Sequence, residues 1–198
     1  MTQACASGGG HMDFGFLRYA DEFWTSDRTD PVSRVMIQWG CSLFYPASAM
    51  ACHVTASPNH QTGRKTPLKY RFDVAMSGRL GFELHPKDLT AEELAYAKER
   101  VAEYKRIRPI VQRGDLYRLA SPYEHPYAAF LYVSEDKAKA VVFALGLDRE
   151  IDETVRLPLS GFKPTETLEL RLKGRYASEV VELVRDISGM KQQKGGWQ

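Results

Sequence analysis

Along the first half of the chain, apolar positions fall at helical spacing, broken by short apolar runs. Val32, Val35, Met36 and Trp39 recur three, four and seven positions on from the first, which buries one face of a helix. Thr29-Asp30-Pro31 marks its start, with a side-chain acceptor for the free amides and proline at the first helical position. Residues 40–45 are expected to end that helix and enter a strand over 42–45, which Pro46 stops. Residues 50–65 lack periodicity and hold Pro58, Asn59 and Gly63, so they read as a short strand followed by a loop. Thr66-Pro67 repeats the start signature for a helix through about Met76, closed by Ser77-Gly78, and 80–84 reads as a strand. The clearest element is announced by Thr90 and Glu93, which form a capping box. Behind them Leu94, Ala97, Val101, Tyr104 and Ile107 make one apolar stripe. That helix is expected over 91–108, with Pro109 ending it.

After Gly114 the pattern changes. Residues 116–119, 128–133, 140–147, 155–159 and 167–172 read as strands, separated by the turn-forming clusters 134–137, 148–152 and Ser160-Gly161. Leu168, Leu170 and Leu172 alternate with Glu169 and Arg171, the period of a strand with one face buried. A boundary is therefore placed near residue 113, with α/β character before it and antiparallel β after it. Residues 178–187 read as an amphipathic helix with Gly189 past its end, and 191–198 as a fraying tail.

Composition narrows the class. The chain has 198 residues, 43% of them apolar and 26% charged, which is a globular balance rather than a disordered one. Lys plus Arg number 27 against 25 Asp plus Glu, a net charge of +2. That gives no electrostatic reason to expect nucleic acid or an anionic membrane as partner. No apolar run approaches the roughly 20 residues of a membrane span. Gly8-Gly9-Gly10 and Asp13 interrupt the place where a secretory signal would carry its apolar core. Cys5, Cys41 and Cys52 contain no CxxC pair, so neither a disulfide framework nor a zinc knuckle is signalled. Reduced thiols and a cytoplasmic setting are the reading. The five histidines, His11, His53, His60, His85 and His125, are scattered, and no metal is expected.

Three stretches hold candidate chemistry. Cys5-Ala6-Ser7-Gly8-Gly9-Gly10 is either a flexible turn or a place where a ligand approaches the main chain closely. It lacks the spacing and trailing lysine of a phosphate loop. In Trp24-Thr25-Ser26-Asp27-Arg28-Thr29-Asp30, Asp30 caps the following helix, whereas Asp27 has no such task. It is a solvated turn residue or a reacting carboxyl. Trp24 supplies an apolar surface that stacks on a sugar ring and favours a protonated acid nearby, while Arg28 favours the ionised form. A carboxylic acid that can donate a proton to a departing oxygen is what glycosidic cleavage needs. In the third stretch, residues 57–64, His60 either orients a substrate hydroxyl or sits in a loop that satisfies its own backbone. Arg64, Lys65, Lys69 and Arg71 read as a solvated positive face.

The order of these motifs resembles a known family. Cys5-Ala-Ser-Gly-Gly-Gly, Asp13, Trp24-Thr-Ser-Asp-Arg-Thr-Asp30, Ser42-Leu-Phe-Tyr-Pro46, Pro58-Asn-His-Gln-Thr-Gly-Arg64 and Ala75-Met-Ser-Gly78 are similar to the C-terminal part of a bacterial α-galactosidase (melibiase) of glycoside hydrolase family 36. The resemblance runs from residue 4 to about 165. It implies that residues 1–113 are the last strands and helices of a (β/α)8 catalytic barrel, with an antiparallel β-sandwich domain over 114–175 and a helical, partly frayed tail over 176–198. It also implies a retaining hydrolase that removes terminal α-galactosyl residues from oligosaccharides such as melibiose and raffinose. Asp27 matches the family's general acid/base, and Cys5 and Gly8 match galactose-contacting positions. No cofactor is implied. The intact enzyme is implied to be a homo-oligomer, with a tetramer among the forms.

The departures are specific. The family's nucleophile lies in a Lys-Trp-Asp motif, and no Lys-Trp-Asp occurs in this sequence. Residues beyond about 173 do not match the family's sandwich strands. The chain is therefore expected to be a fragment that is inactive alone. Two alternatives stand beside this reading. One is a non-catalytic module that binds carbohydrate or mediates oligomerisation. The other is acyl transfer by Cys5 with His53 or His60, for which nothing in the sequence places either ring near the sulfur.

Overall fold

The structure is a computed structural model and describes residues 2–5 and 12–185. Its first region is a four-stranded parallel sheet in the order β1 (Gln3–Ala4), β2 (Glu22–Trp24), β3 (Met50–Thr55) and β4 (Arg79–Glu83). Helix α1 (Pro31–Cys41) connects β2 to β3, and α2 (Leu68–Met76) connects β3 to β4. Helix α3 (Ala91–Arg113) follows. Strand order follows chain order, so every connection is a one-step crossover and the C-terminal ends of all four strands share one edge.

Asp30 does cap α1, accepting from the Ser33 amide at 2.9 Å with Pro31 next in line. The buried stripe of α1, however, is Pro31, Arg34, Val35, Gln38 and Trp39, while Val32 and Met36 are half-buried. The spacing is helical as expected, but two polar residues occupy it. Residues 42–45 form a turn rather than a strand, followed by a single 3-10 turn over Ala47–Ala49. The α1 end is tied down there, because Ser42 donates to the Trp39 carbonyl at 2.7 Å and Arg118 from the second region holds Ser42. Helix α2 is buried almost all round from Tyr70 to Met76 because it is sandwiched between the parallel sheet and the second region.

Helix α3 begins with the expected capping box at Thr90 and Glu93 but does not stop at Pro109. It continues to Arg113. Pro109 is exposed, so the carbonyl it leaves unbonded one turn earlier faces water. Burial of Ile107, Ile110 and Val111 on the opposite side outweighs a proline cost of about 3 kcal/mol.

The second region is antiparallel. β5 (Asp115–Ala120), β6 (Tyr127–Val133), β7 (Lys139–Gly146) and β10 (Ser178–Val184) form one sheet in the order β10-β7-β6-β5, and β8 (Asp152–Pro158) pairs with β9 (Thr167–Lys173) as a hairpin. β6 and β7 are apolar on both faces because both faces are covered. Ala128, Phe130, Tyr132, Val141, Phe143 and Leu145 pack on the helices, and Leu131, Val133, Val142 and Ala144 pack on Val155, Leu157, Phe162 and Leu172 of the hairpin layer. The molecule is thus layered as parallel sheet, helices, antiparallel sheet and hairpin.

The helix expected over 178–187 is not formed in its described part. Ser178–Val184 is strand β10, paired with β7 from Ser178 opposite Leu145 to Val184 opposite Lys139. Val180, Val181 and Val184 are β-branched, which favours the strand, and pairing with β7 satisfies backbone groups that an isolated two-turn helix would leave open. Residues 186–198 lie outside the described residues. No helix among the described residues is long and apolar enough to cross a membrane.

Candidate active site

The parallel sheet has two unlike faces. Phe23, Met50, Cys52 and Val54 point towards core side chains. The opposite face carries Glu22, Trp24, His53, Arg79 and Gly81, placed side by side by the registers Trp24 to Ala51, Ala51 to Arg79 and His53 to Gly81. Glu22 pairs with Arg79 at 2.7 Å and accepts from Gln3 at 3.0 Å. The Trp24 and His53 rings lie 4.5 Å apart, and Gly81 leaves the space that the His53 ring fills.

Asp27 stands just past the C-terminal end of β2, at the edge of this polar face. It is exposed, and its Oδ1 accepts from the Trp24 indole nitrogen at 2.9 Å. The loop that carries it is held from below and from the side. Arg34, buried on α1, donates to the Ser26 carbonyl at 3.1 Å and to the Ala51 carbonyl at 2.6 Å, with its guanidinium 5.8 Å from the Trp24 ring. Thr25 also reaches the Ala51 carbonyl, at 3.2 Å. From the loop after β3, the Gln61 side chain donates to the Asp27 carbonyl at 2.7 Å and accepts from the Thr29 amide at 3.0 Å. The Asn59 side chain donates to Thr29 at 3.1 Å, while its oxygen accepts from the Gln61 and Thr62 amides.

Residues 57–64 therefore satisfy their own backbone and also brace the Asp27 loop. Gln61 performs the bracing, whereas His60 is exposed. The positive cluster is a solvated face only in part: Lys65 and Lys69 are exposed, whereas Arg64 is half-buried and Arg71 buried. Arg71 is buried and donates to the Thr55 carbonyl at 2.6 Å, Arg64 pairs with Asp30 and Asp148, and Lys69 pairs with Asp73 at 2.8 Å. Burial alone would disfavour the Arg64 and Arg71 cations, and the fold supplies acceptors for both.

Cys5 is exposed and comes one residue after Ala4, the partner of Phe23, so the register runs on towards Trp24. The strand pairing brings Cys5 and the Asp27 loop to the same edge. Gly8 lies outside the described residues. His53 is neutral at ordinary pH. Burial, with help from the Arg34 charge, lowers its pKa to about 4, and its Nδ1 is buried without a hydrogen-bond partner. Burial pushes the Cys52 thiol up to about 12, so it is inert packing on the core face. Among the described residues no group of three or more His, Cys, Asp or Glu side chains could hold a metal ion.

Residues 1–114 match the family model for melibiase. The chain belongs to the melibiase family. The α-galactosidase AgaA of Geobacillus stearothermophilus is 44% identical over 180 residues, covering 90% of this chain and 25% of that protein. A probable α-galactosidase G of Aspergillus terreus is 41% identical over 183 residues, covering 91% of this chain and 25% of its own length. The crystal structure of a variant of the Geobacillus enzyme, a family GH36 α-galactosidase in complex with raffinose, superposes with a TM-score of 0.84 at 39% identity, covering 92% of this chain and 28% of that one. The chain spans about a quarter of the length of the curated relatives it matches.

Arg34 and Gln61 were missed as site-building residues in the sequence. The signal for Arg34 was present, since positions 31, 34, 35, 38 and 39 form an unbroken helical stripe in which a cation must find buried partners.

Proposed function

We propose that this chain supplies the acid/base half of a retaining α-galactosidase that releases terminal α-galactosyl residues from oligosaccharides such as melibiose and raffinose. In this reading the four parallel strands are the closing part of a (β/α)8 barrel, whose polar inner face is the one bearing Glu22, Trp24 and His53. The sequential strand order, with the helices packed on one face, supports it, as does the position of Asp27 at the C-terminal strand edge, where such barrels hold their chemistry.

Asp27 protonates the departing glycosidic oxygen, then takes a proton from water as galactose is released. Its Oδ1 is held by the Trp24 indole, which leaves Oδ2 to carry the proton. An indole N–H only donates, so it supports the carboxylate that forms once the proton has left. Cys5 and Gly8 are the galactose-contacting positions, with Cys5 as a small, weakly polar contact rather than a nucleophile. The nucleophile, about 5–5.5 Å from the acid in a retaining enzyme, comes from a Lys-Trp-Asp motif that this chain does not contain. No cofactor takes part.

The observation that carries this reading is the Trp24–Asp27 hydrogen bond at the sheet edge that also presents Cys5. The test is hydrolysis of an aryl α-galactoside by this chain alone and with the family's upstream region supplied in trans. Turnover only in the combined sample is expected. Turnover by the chain alone would show that the nucleophile is within it, and binding of galactose without turnover in the combined sample would favour a carbohydrate-binding module.

A further inference from the structure

The loop bearing Asp27 is braced from beyond the parallel sheet. Asp30, three residues after Asp27, is fully buried, and its Oδ2 accepts from Ser33 and from Arg64. Arg64 leaves the loop after β3, which also carries the Gln61 brace, and its Nε donates to Asp148 Oδ2 at 2.9 Å. Asp148 lies just after β7 in the antiparallel region, and its other oxygen accepts from Arg175 at 2.6 Å, in the turn between β9 and β10. One guanidinium thus spans a carboxylate of the candidate site and a carboxylate of the second region that lies 84 residues beyond Arg64 in sequence. A fork of donors in one plane can serve two acceptors at once, which an ammonium cannot do with the same geometry. Burial works against the Arg64 charge, but the hydrogen bonds and charges of Asp30 and Asp148 prevail and raise its pKa.

From this geometry we infer that Arg64 and Asp148 are positioning residues that couple the antiparallel region to the Asp27 loop. The antiparallel region then does more than cover apolar helix surface: it fixes where the acid/base stands. The inference rests on the reading of Asp27 as acid/base for its catalytic consequence, but the mechanical link can be tested without it.

Asp148→Asn removes one charge, keeps the shape and lies outside the candidate site. In the 198-residue chain, hydrogen exchange of amides 26–34 is expected to speed up about tenfold in Asp148→Asn, with residues 128–133 unchanged and Asp148→Glu restoring protection. Unchanged exchange at 26–34, or faster exchange everywhere, would overturn the link. With the upstream region supplied, Asp148→Asn is expected to lower kcat for an aryl α-galactoside about tenfold and leave KM within about twofold. Equal kcat in the two proteins would overturn the catalytic role. Absence of turnover in the unsubstituted protein would count against the α-galactosidase reading, while the exchange result would still decide the link.

Discussion

The indole nitrogen of Trp24 donates to Asp27 Oδ1 at 2.9 Å, and the same indole ring lies 4.5 Å from the ring of His53. The first contact fixes one oxygen of an otherwise exposed carboxyl. The second fixes the indole, because His53 sits against Gly81 on the neighbouring strand and has little room to turn. Rigid strand residues thereby aim a side chain that belongs to a loop.

Replacing Trp24 by Phe keeps a ring against His53 and removes the donor. A hydrogen bond to an exposed carboxyl contributes about 1 kcal/mol, so kcat for an aryl α-galactoside is expected to fall roughly fivefold. Steady-state kinetics with the upstream region supplied would check this, and an unchanged kcat would remove Trp24 from the account.

His53 makes stability depend on pH with a definite sign. Its folded pKa of about 4 lies below the ordinary value of 6.5, so between these values the unfolded chain binds the extra proton. Stability is therefore lost as pH falls from about 6.5 to about 4. His53→Phe is expected to flatten that part of the curve. At pH 7 it should be no less stable, since it removes a buried nitrogen without a partner. Urea midpoints at pH 7 and about pH 4.5 for both proteins would show it, and parallel losses in both would contradict the assignment.

Gly114 joins α3 to β5 where there is no room for a side chain. A Cβ there would lie 2.4 Å from the Val133 carbonyl oxygen and 2.5 Å from that of Ile110. Both are backbone atoms, so relief requires moving the helix or the strand. Gly114→Ala is expected to cost about 1–3 kcal/mol, read as a lower urea midpoint. An unchanged midpoint would mean that the junction is loosely packed.

Signals carried by neighbouring residues were legible in the sequence. The Asp30-Pro31 cap, the Thr90 and Glu93 box and the apolar runs of β6 and β7 all depend on local chemistry and appear where expected. What failed depends on contacts far along the chain. Ser178–Val184 is a strand because β7 offers it an edge, and α3 runs through Pro109 because the buried side of the next turn holds it. Arg64 and Arg71 look like surface cations until Asp30, Asp148 and the Thr55 carbonyl are brought to them by the fold. At the site, the Trp24-Thr25-Ser26-Asp27 motif singles out the loop past β2, but no local pattern reveals that Gln61, 34 residues further on, holds it.

The role of Asp27 is tested most directly by Asp27→Ala, assayed with the upstream region supplied. Raffinose needs its leaving group protonated, whereas an activated aryl α-galactoside needs this less. General acid/base catalysis contributes about 10²–10⁴-fold, so raffinose hydrolysis is expected to fall by that factor. Cleavage of the activated glycoside should fall less and recover on addition of azide, a small nucleophile that needs no base. Raffinose hydrolysis by Asp27→Ala at the unsubstituted rate would contradict the account.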